Sequence, residues 1–233
     1  MTKSKDCNFF LSIGANDIKF EAIDRNNEIF FSKNDLIDNS SNTRNFEILE
    51  KFLDNNIFNI EKELSSYVKN INLVVDHNDF FFVNLSMKYN FDGINFNLDH
   101  LNRSLIELKK YFQNTIGNFE ITHMVINKFI VDGKVYSQLI ETSNYNKICL
   151  EIKFICINRS IVKNLKDILS KYQIFVKNII CFKYLQEFEN FNNSKSTIIA
   201  QKVLNGLNQN EIFYRKKSLK KHSFFEKFFN FFN

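Results

Sequence analysis

Residues 121–133, ITHMVINKFIVDG, decide the fold. They are rich in β-branched and aromatic side chains and close on Asp132-Gly133, the dipeptide that a two-residue hairpin turn favours. The chain should fold back from there as a second strand over residues 134–139. A further strand is expected over 148–157 (ICLEIKFICI), where apolar residues dominate. Residues 159–172 begin RSIVKNLKDIL and change period, with Ile161, Val162, Leu165, Ile168 and Leu169 recurring at helical intervals. Residues 173–181 then read as a strand returning toward the sheet that opens the chain. Strands and helices thus share one core, which predicts a mixed α/β (α+β) class.

Upstream, residues 8–13, 18–23 and 28–31 predict three short strands joined at Gly14-Ala15-Asn16 and Arg25-Asn26-Asn27, so a meander begins the fold. Helical spacing is expected over 45–53 and 60–69, a buried strand over 71–75 and a strand over 79–89 that turns at Asp92-Gly93. A helix should follow over 98–112, with Asp99 as its N-cap, and another over 196–207 after a polar stretch at 190–195. The 233 residues include no proline and only five glycines. Turns must therefore be made largely by Asn and Asp, which tolerate left-handed backbone better than other residues.

Charge is unevenly spread. The net charge is +5, and residues 215–233 alone contain six Lys or Arg against one Glu, so residues 1–214 are balanced. A nucleic-acid binder carries its cations across a folded face, and a neutral body argues against that partner. On a helical projection Phe224, Phe225, Phe228, Phe229, Phe231 and Phe232 occupy one side of the last ten residues, behind a cluster formed by Lys216, Lys217, Lys220 and Lys221. Such a segment can lie in a membrane interface, phenylalanines among acyl chains and lysines near anionic headgroups. The alternatives are docking on the protein's own core or in a partner's groove. No stretch is long and apolar enough to span a bilayer, and the charged first ten residues do not read as a secretory signal, so a cytoplasmic location is expected.

Cys7, Cys149, Cys156 and Cys181 form no C-x-x-C pair, and His77, His100, His123 and His222 stand singly, so neither a metal site nor a disulfide framework is expected. His123 has no Cys or carboxylate at an informative spacing and reads as a packed histidine. No catalytic residue and no cofactor are assigned.

The order of motifs resembles the bacterial cell-division protein FtsA family. That family has an H-x-I-P-x-x-Y-x-V-D-G strand and turn, a strand with an L-E-V core and an A-x-x-N-L helix; His123, Asp132-Gly133, Leu150-Glu151-Ile152 and Lys163-Asn164-Leu165 stand at those places. Phe10-Leu11-Ser12-Ile13-Gly14 resembles its opening L-D-I-G strand, Leu98-Asp99-His100-Leu101 a helix start, and Asn205-Gly206-Leu207 its C-terminal region. The resemblance implies an actin-like fold shortened to a first subdomain (residues 1–75), an inserted SHS2-type subdomain (76–175), a return to the first subdomain (176–210) and a basic linker with a membrane-targeting helix (211–233). The acid expected before Ile13-Gly14 is Ser12, and no second phosphate loop of the D-x-G-G-x-T kind follows, so Ser12 and Gly14 read as a plain hairpin turn, with a relic nucleotide loop as the alternative.

The function so implied is that of a non-enzymatic adaptor or scaffold, peripheral on the inner face of the cell membrane. Its partners would be anionic lipid, division proteins bound through the SHS2-type subdomain, and further copies of itself. An actin-like ATPase that completes its site by oligomerising and a PilM-like pilus-assembly adaptor are the alternative readings.

Overall fold

A computed structural model describes residues 7–37, 45–90, 98–138, 146–188, 191–192 and 195–212. The architecture is mixed α/β, with two sheets and several helices, as the sequence predicts.

The first sheet has five strands in the order β3-β2-β1-β4-β9. Strands β1 (Cys7–Ile13), β2 (Asp17–Asp24) and β3 (Ile29–Leu36) form the expected antiparallel meander. β4 (Asn70–Val75) and β9 (Phe175–Cys181) then add in parallel on the other side of β1. β4 is near-continuously apolar and buried, as a central strand covered on both faces must be, while β1 and β2 bury Phe10, Leu11, Ile13, Ile18, Phe20, Ala22 and Ile23. The helices α1 (Asn45–Leu64), α3 (Arg159–Lys171), α4 (Phe182–Leu185) and α5 (Ser196–Leu204) supply the cover, and Phe10, Leu11, Phe20, Leu53, Leu169 and Leu185 share one core.

The second sheet has four antiparallel strands in the order β5-β8-β6-β7. These are β5 (Phe81–Asn90), β6 (Phe119–Val131), β7 (Lys134–Tyr136) and β8 (Lys147–Asn158). Asp132 and Gly133 both have positive φ (48° and 83°), the left-handed pair that a tight hairpin between β6 and β7 needs. Helix α2 (Leu98–Thr115) lays Leu101, Leu105 and Phe112 on this sheet's core. Gln113 fastens it further: its Nε2 donates to the Phe119 carbonyl (2.6 Å) and its Oε1 accepts from the Ile121 N–H (3.2 Å).

Several boundaries differ from the sequence reading: β3 runs on to Leu36, β7 stops at Tyr136 and α5 at Leu204. Helix α1 is continuous where two helical stretches were expected. Asn56, in the stretch between them, donates to the Phe52 carbonyl one turn back (3.0 Å) and to Asp35 on β3 (2.8 Å), so its amide is satisfied with the helix intact. The helix stops at Leu64 because Ser65 takes φ 51° and the Ser66 N–H closes back on the Glu61 carbonyl. The same device ends α3: Gln173 has φ 61°, the Ile174 N–H bonds the Leu169 carbonyl, and β9 therefore starts at Phe175. Asp99 lies within the first turn of α2 instead of preceding it, and Asp92-Gly93 lies outside the described residues.

Candidate functional site

Two places concentrate polar chemistry, and the first is the loop where β1 passes into β2. Ser12 and Gly14 line a cavity of about 510 Å³ together with Asp17, Lys19, Asp76 and Ser196. A phosphate loop needs glycine N–H groups turned outward to a ligand. Here the Gly14 N–H is spent on the Asp17 carbonyl at 2.9 Å, closing a tight turn. A β-carbon on Gly14 would stand 2.7 Å from Asp17 Oδ1, so a carboxylate rests where a phosphate would have to approach. Lys19 is held at 2.7 Å by the buried Glu21, which leaves Asp17 and Asp76 as the charges facing the cavity. These residues do not fit a nucleotide phosphate. Among the described residues no group of His, Cys, Asp or Glu could hold a metal ion either.

The second place joins the two sheets. His123, on β6, is 4% exposed, and its Nδ1 lies 2.7 Å from Glu211 Oε1. Its Nε2 accepts the Cys181 N–H from the end of β9 at 3.1 Å, which requires the ring proton to sit on Nδ1 and be donated to Glu211. The Tyr184 hydroxyl, on α4, donates to Glu211 Oε2 (2.8 Å) and accepts from Asn208 Nδ2 (2.9 Å). Burial, with the Glu211 charge second, holds the Tyr184 phenol far above its ordinary value. Burial also lowers the Lys109 ammonium, against the opposing pull of Glu211. Backbone bonds complete the join: Ile126 N–H to Asn210 carbonyl (3.0 Å) and Ile212 N–H to Met124 carbonyl (2.8 Å). A buried carboxylate with two donors is thereby a clamp holding β6, β9, α4 and residues 208–212 together.

Beside the clamp runs a groove of about 230 Å³ whose wall is the outer edge of β9. Val176 and Ile179 give it an apolar side; Lys109, Lys166 and Lys177 line it with Glu120, which pairs with Lys166 at 3.6 Å, so cations are in excess there. Strand alternation turns the Ile179 backbone outward, as Cys181 is, into this groove.

No protein-family model matches the chain, and no curated protein does. Solved structures do resemble it. One, a PilM-PilN type IV pilus biogenesis complex, is 7% identical over 76% of this chain and 48% of its own, with a TM-score of 0.49. A Bacteroides thetaiotaomicron protein of actin-like ATPase fold and unknown function is 14% identical over 79% of this chain and 55% of its own (TM-score 0.35). The cytoplasmic domain of EpsL, an inner-membrane component of the Vibrio cholerae type II secretion system, is 11% identical over 77% and 58% (TM-score 0.36). The chain spans about half the length of these proteins.

Sequence reasoning singled out Ser12, Gly14 and His123, and the structure puts the first two in one cavity and the third in the clamp. It missed Tyr184, Asn208 and Glu211, which share no motif or period; a lone Glu beside Ile212 in a polar stretch carries no signal of burial. Burial also explains the thiols: it pushes Cys156 up to about 12 and raises Cys181. Lys216, Lys217, Lys220, Lys221, Phe224, Phe225, Phe228, Phe229, Phe231 and Phe232 lie outside the described residues. No helix among those described is long and apolar enough to cross a membrane.

Proposed function

We propose that the chain is a non-catalytic adaptor of actin-like architecture. It binds the cytoplasmic face of the membrane through residues 216–233 and links components of a membrane-bound machine. The groove along the free edge of β9 carries this reading. Its exposed strand edge, apolar side and three lysines suit a short extended peptide with acidic residues, added as an extra strand. The clamp holds the two sheets in register around that groove, as a binding surface between rigid parts requires. The motifs shared with FtsA support cell division as the setting, with residues 76–175 as the SHS2-type subdomain that meets partner proteins.

The groove equally favours a second reading, a pilus-assembly adaptor of the PilM type, because such adaptors take a short peptide of a membrane partner. The two separate by which peptide binds. Fluorescence anisotropy with labelled cytoplasmic segments of the source cell's division and pilus membrane proteins is expected to find one that binds at micromolar concentration. Lys166→Glu with Lys177→Glu should abolish that binding. If no segment binds, or the charge reversal changes nothing, the groove is not the site. The crowded Gly14–Asp17 turn supports the absence of ATPase activity; saturable micromolar binding of labelled ATP would overturn that part.

A further inference from the structure

Among the described residues four strands edge the two sheets. β3 carries Lys33 and Asp35 and pairs through a register shift, β7 is three residues long, and β9 lines the groove described above. β5 has none of these. It runs ten residues in unbroken register against β8, contains no proline, and has Lys88 as its single charge.

Its inward side chains Phe81, Val83, Leu85, Met87 and Tyr89 are only partly buried, although they pack on the second sheet's core. A long, regular edge whose apolar row is half covered is a surface that another strand would complete.

We propose that this strand is its own partner: two copies pair β5 antiparallel about a two-fold axis at Leu85, joining two four-stranded sheets into one of eight. Directly opposed residues in an antiparallel pair share a face, so the sequence itself tests the register. On the inner face Phe81 meets Tyr89, Val83 meets Met87 and Leu85 meets its own copy. Every inner contact is apolar. On the outer face Asn84 meets Ser86, and Lys88 meets the ring of Phe82, a cation over an aromatic face. Neither lysine faces the other. The strand therefore offers its two-fold mate a matched apolar row and a complement for its one charge. The interface is independent of the groove at β9.

The test uses the exposed outer-face positions, which leave the core untouched. Within its own sheet Asn84 lies opposite Lys153 and Ser86 opposite Glu151. Asn84→Glu with Ser86→Lys therefore suits the monomer, and across the two-fold it sets Glu against Lys twice. Asn84→Glu with Ser86→Glu sets Glu against Glu twice. Sedimentation equilibrium of the full chain should show a concentration-dependent dimer, weakened about tenfold or more in the Glu/Glu variant and retained in the Glu/Lys variant. Circular dichroism confirms that both variants fold. A wild-type chain that is monomeric at about 100 μM overturns the proposal, as would hold if the strand pairs with a different protein. So does a dimer that the Glu/Glu variant leaves intact.

Discussion

His123 Nδ1 and Glu211 Oε1 lie 2.7 Å apart across 88 residues of sequence, both nearly fully buried, and they tie the second sheet to the end of the described chain. Removing the carboxylate strands two buried donors, the His123 ring N–H and the Tyr184 hydroxyl. Glu211→Ala should lower stability by about 3 kcal/mol, read as a fall in the urea midpoint with the slope unchanged. Glu211→Gln keeps an acceptor for one donor and should cost less. Equal stability of Glu211→Ala and wild type would mean that the clamp is not made.

Tyr184 gives the clamp an optical signature. Its phenol is pushed upward by burial and by the neighbouring carboxylate, so the folded protein holds this proton after an unfolded chain has released it. The sign follows: the stabilisation is fully present below the ordinary tyrosine range near pH 10 and is lost as pH rises through and above it. Burial and the Asp54 hydrogen bond raise the Tyr172 phenol as well. Absorbance at about 295 nm should therefore show tyrosines that ionise only with alkaline unfolding, and Tyr184→Phe should remove one of them and flatten the loss of stability.

A glycine-poor sequence had to find other residues for left-handed backbone. Asn27 and Asp132 (φ 64° and 48°) are the types expected there, and the hairpin at 131–134 was legible for that reason. Ser65 and Gln173 were not, because neither residue type favours φ near 50–60°; α1 accordingly ends at Leu64 and not at 69, and β9 begins at Phe175 and not at 173, while α3 ends within one residue of its expected bound. Both side chains are exposed. Ser65→Gly and Gln173→Gly should each raise stability by about 0.5–1 kcal/mol, since the strain removed exceeds the added chain entropy. Thermal unfolding of the single variants checks this, and a loss in either would show that the side chain makes a compensating contact.

The Gly14–Asp17 contact can be measured as a coupling. A methyl at position 14 meets Asp17 Oδ1 at 2.7 Å and must displace that side chain. Gly14→Ala alone should cost about 1 kcal/mol, and most of that cost should vanish when Asp17 is Ala as well. Additive effects would place the carboxylate elsewhere and reopen the loop to an anion.

Legibility followed the range of the interactions. The meander, the hairpin and the amphipathic face of α3 are local patterns, and periodicity alone exposes them. The strand order β1-β4-β9 was anticipated only in the return of residues 173–181 to the first sheet, because parallel pairing leaves no turn to read. The clamp was invisible apart from His123. Glu211 and Tyr184 gain their character from being buried together, and burial of a polar residue is decided by elements distant in sequence.

The basic, phenylalanine-faced terminus separates the adaptor reading from a purely soluble one. Its lysines should contribute through anionic headgroups, about 1 kcal/mol each, and its phenylalanines through the area they remove from water. Flotation with vesicles of increasing anionic lipid should therefore carry the full chain upward in proportion to surface charge. Deleting residues 218–233 should leave it at the bottom. Phe228→Ser with Phe229→Ser tests the apolar face with the lysines intact, and should release the protein even from strongly anionic vesicles. If binding survives that change but falls with salt, attraction to charge alone is at work and the segment is not an inserted helix. If the truncated chain floats as well as the intact one, the membrane contact lies elsewhere and the anchoring half of the adaptor proposal is lost.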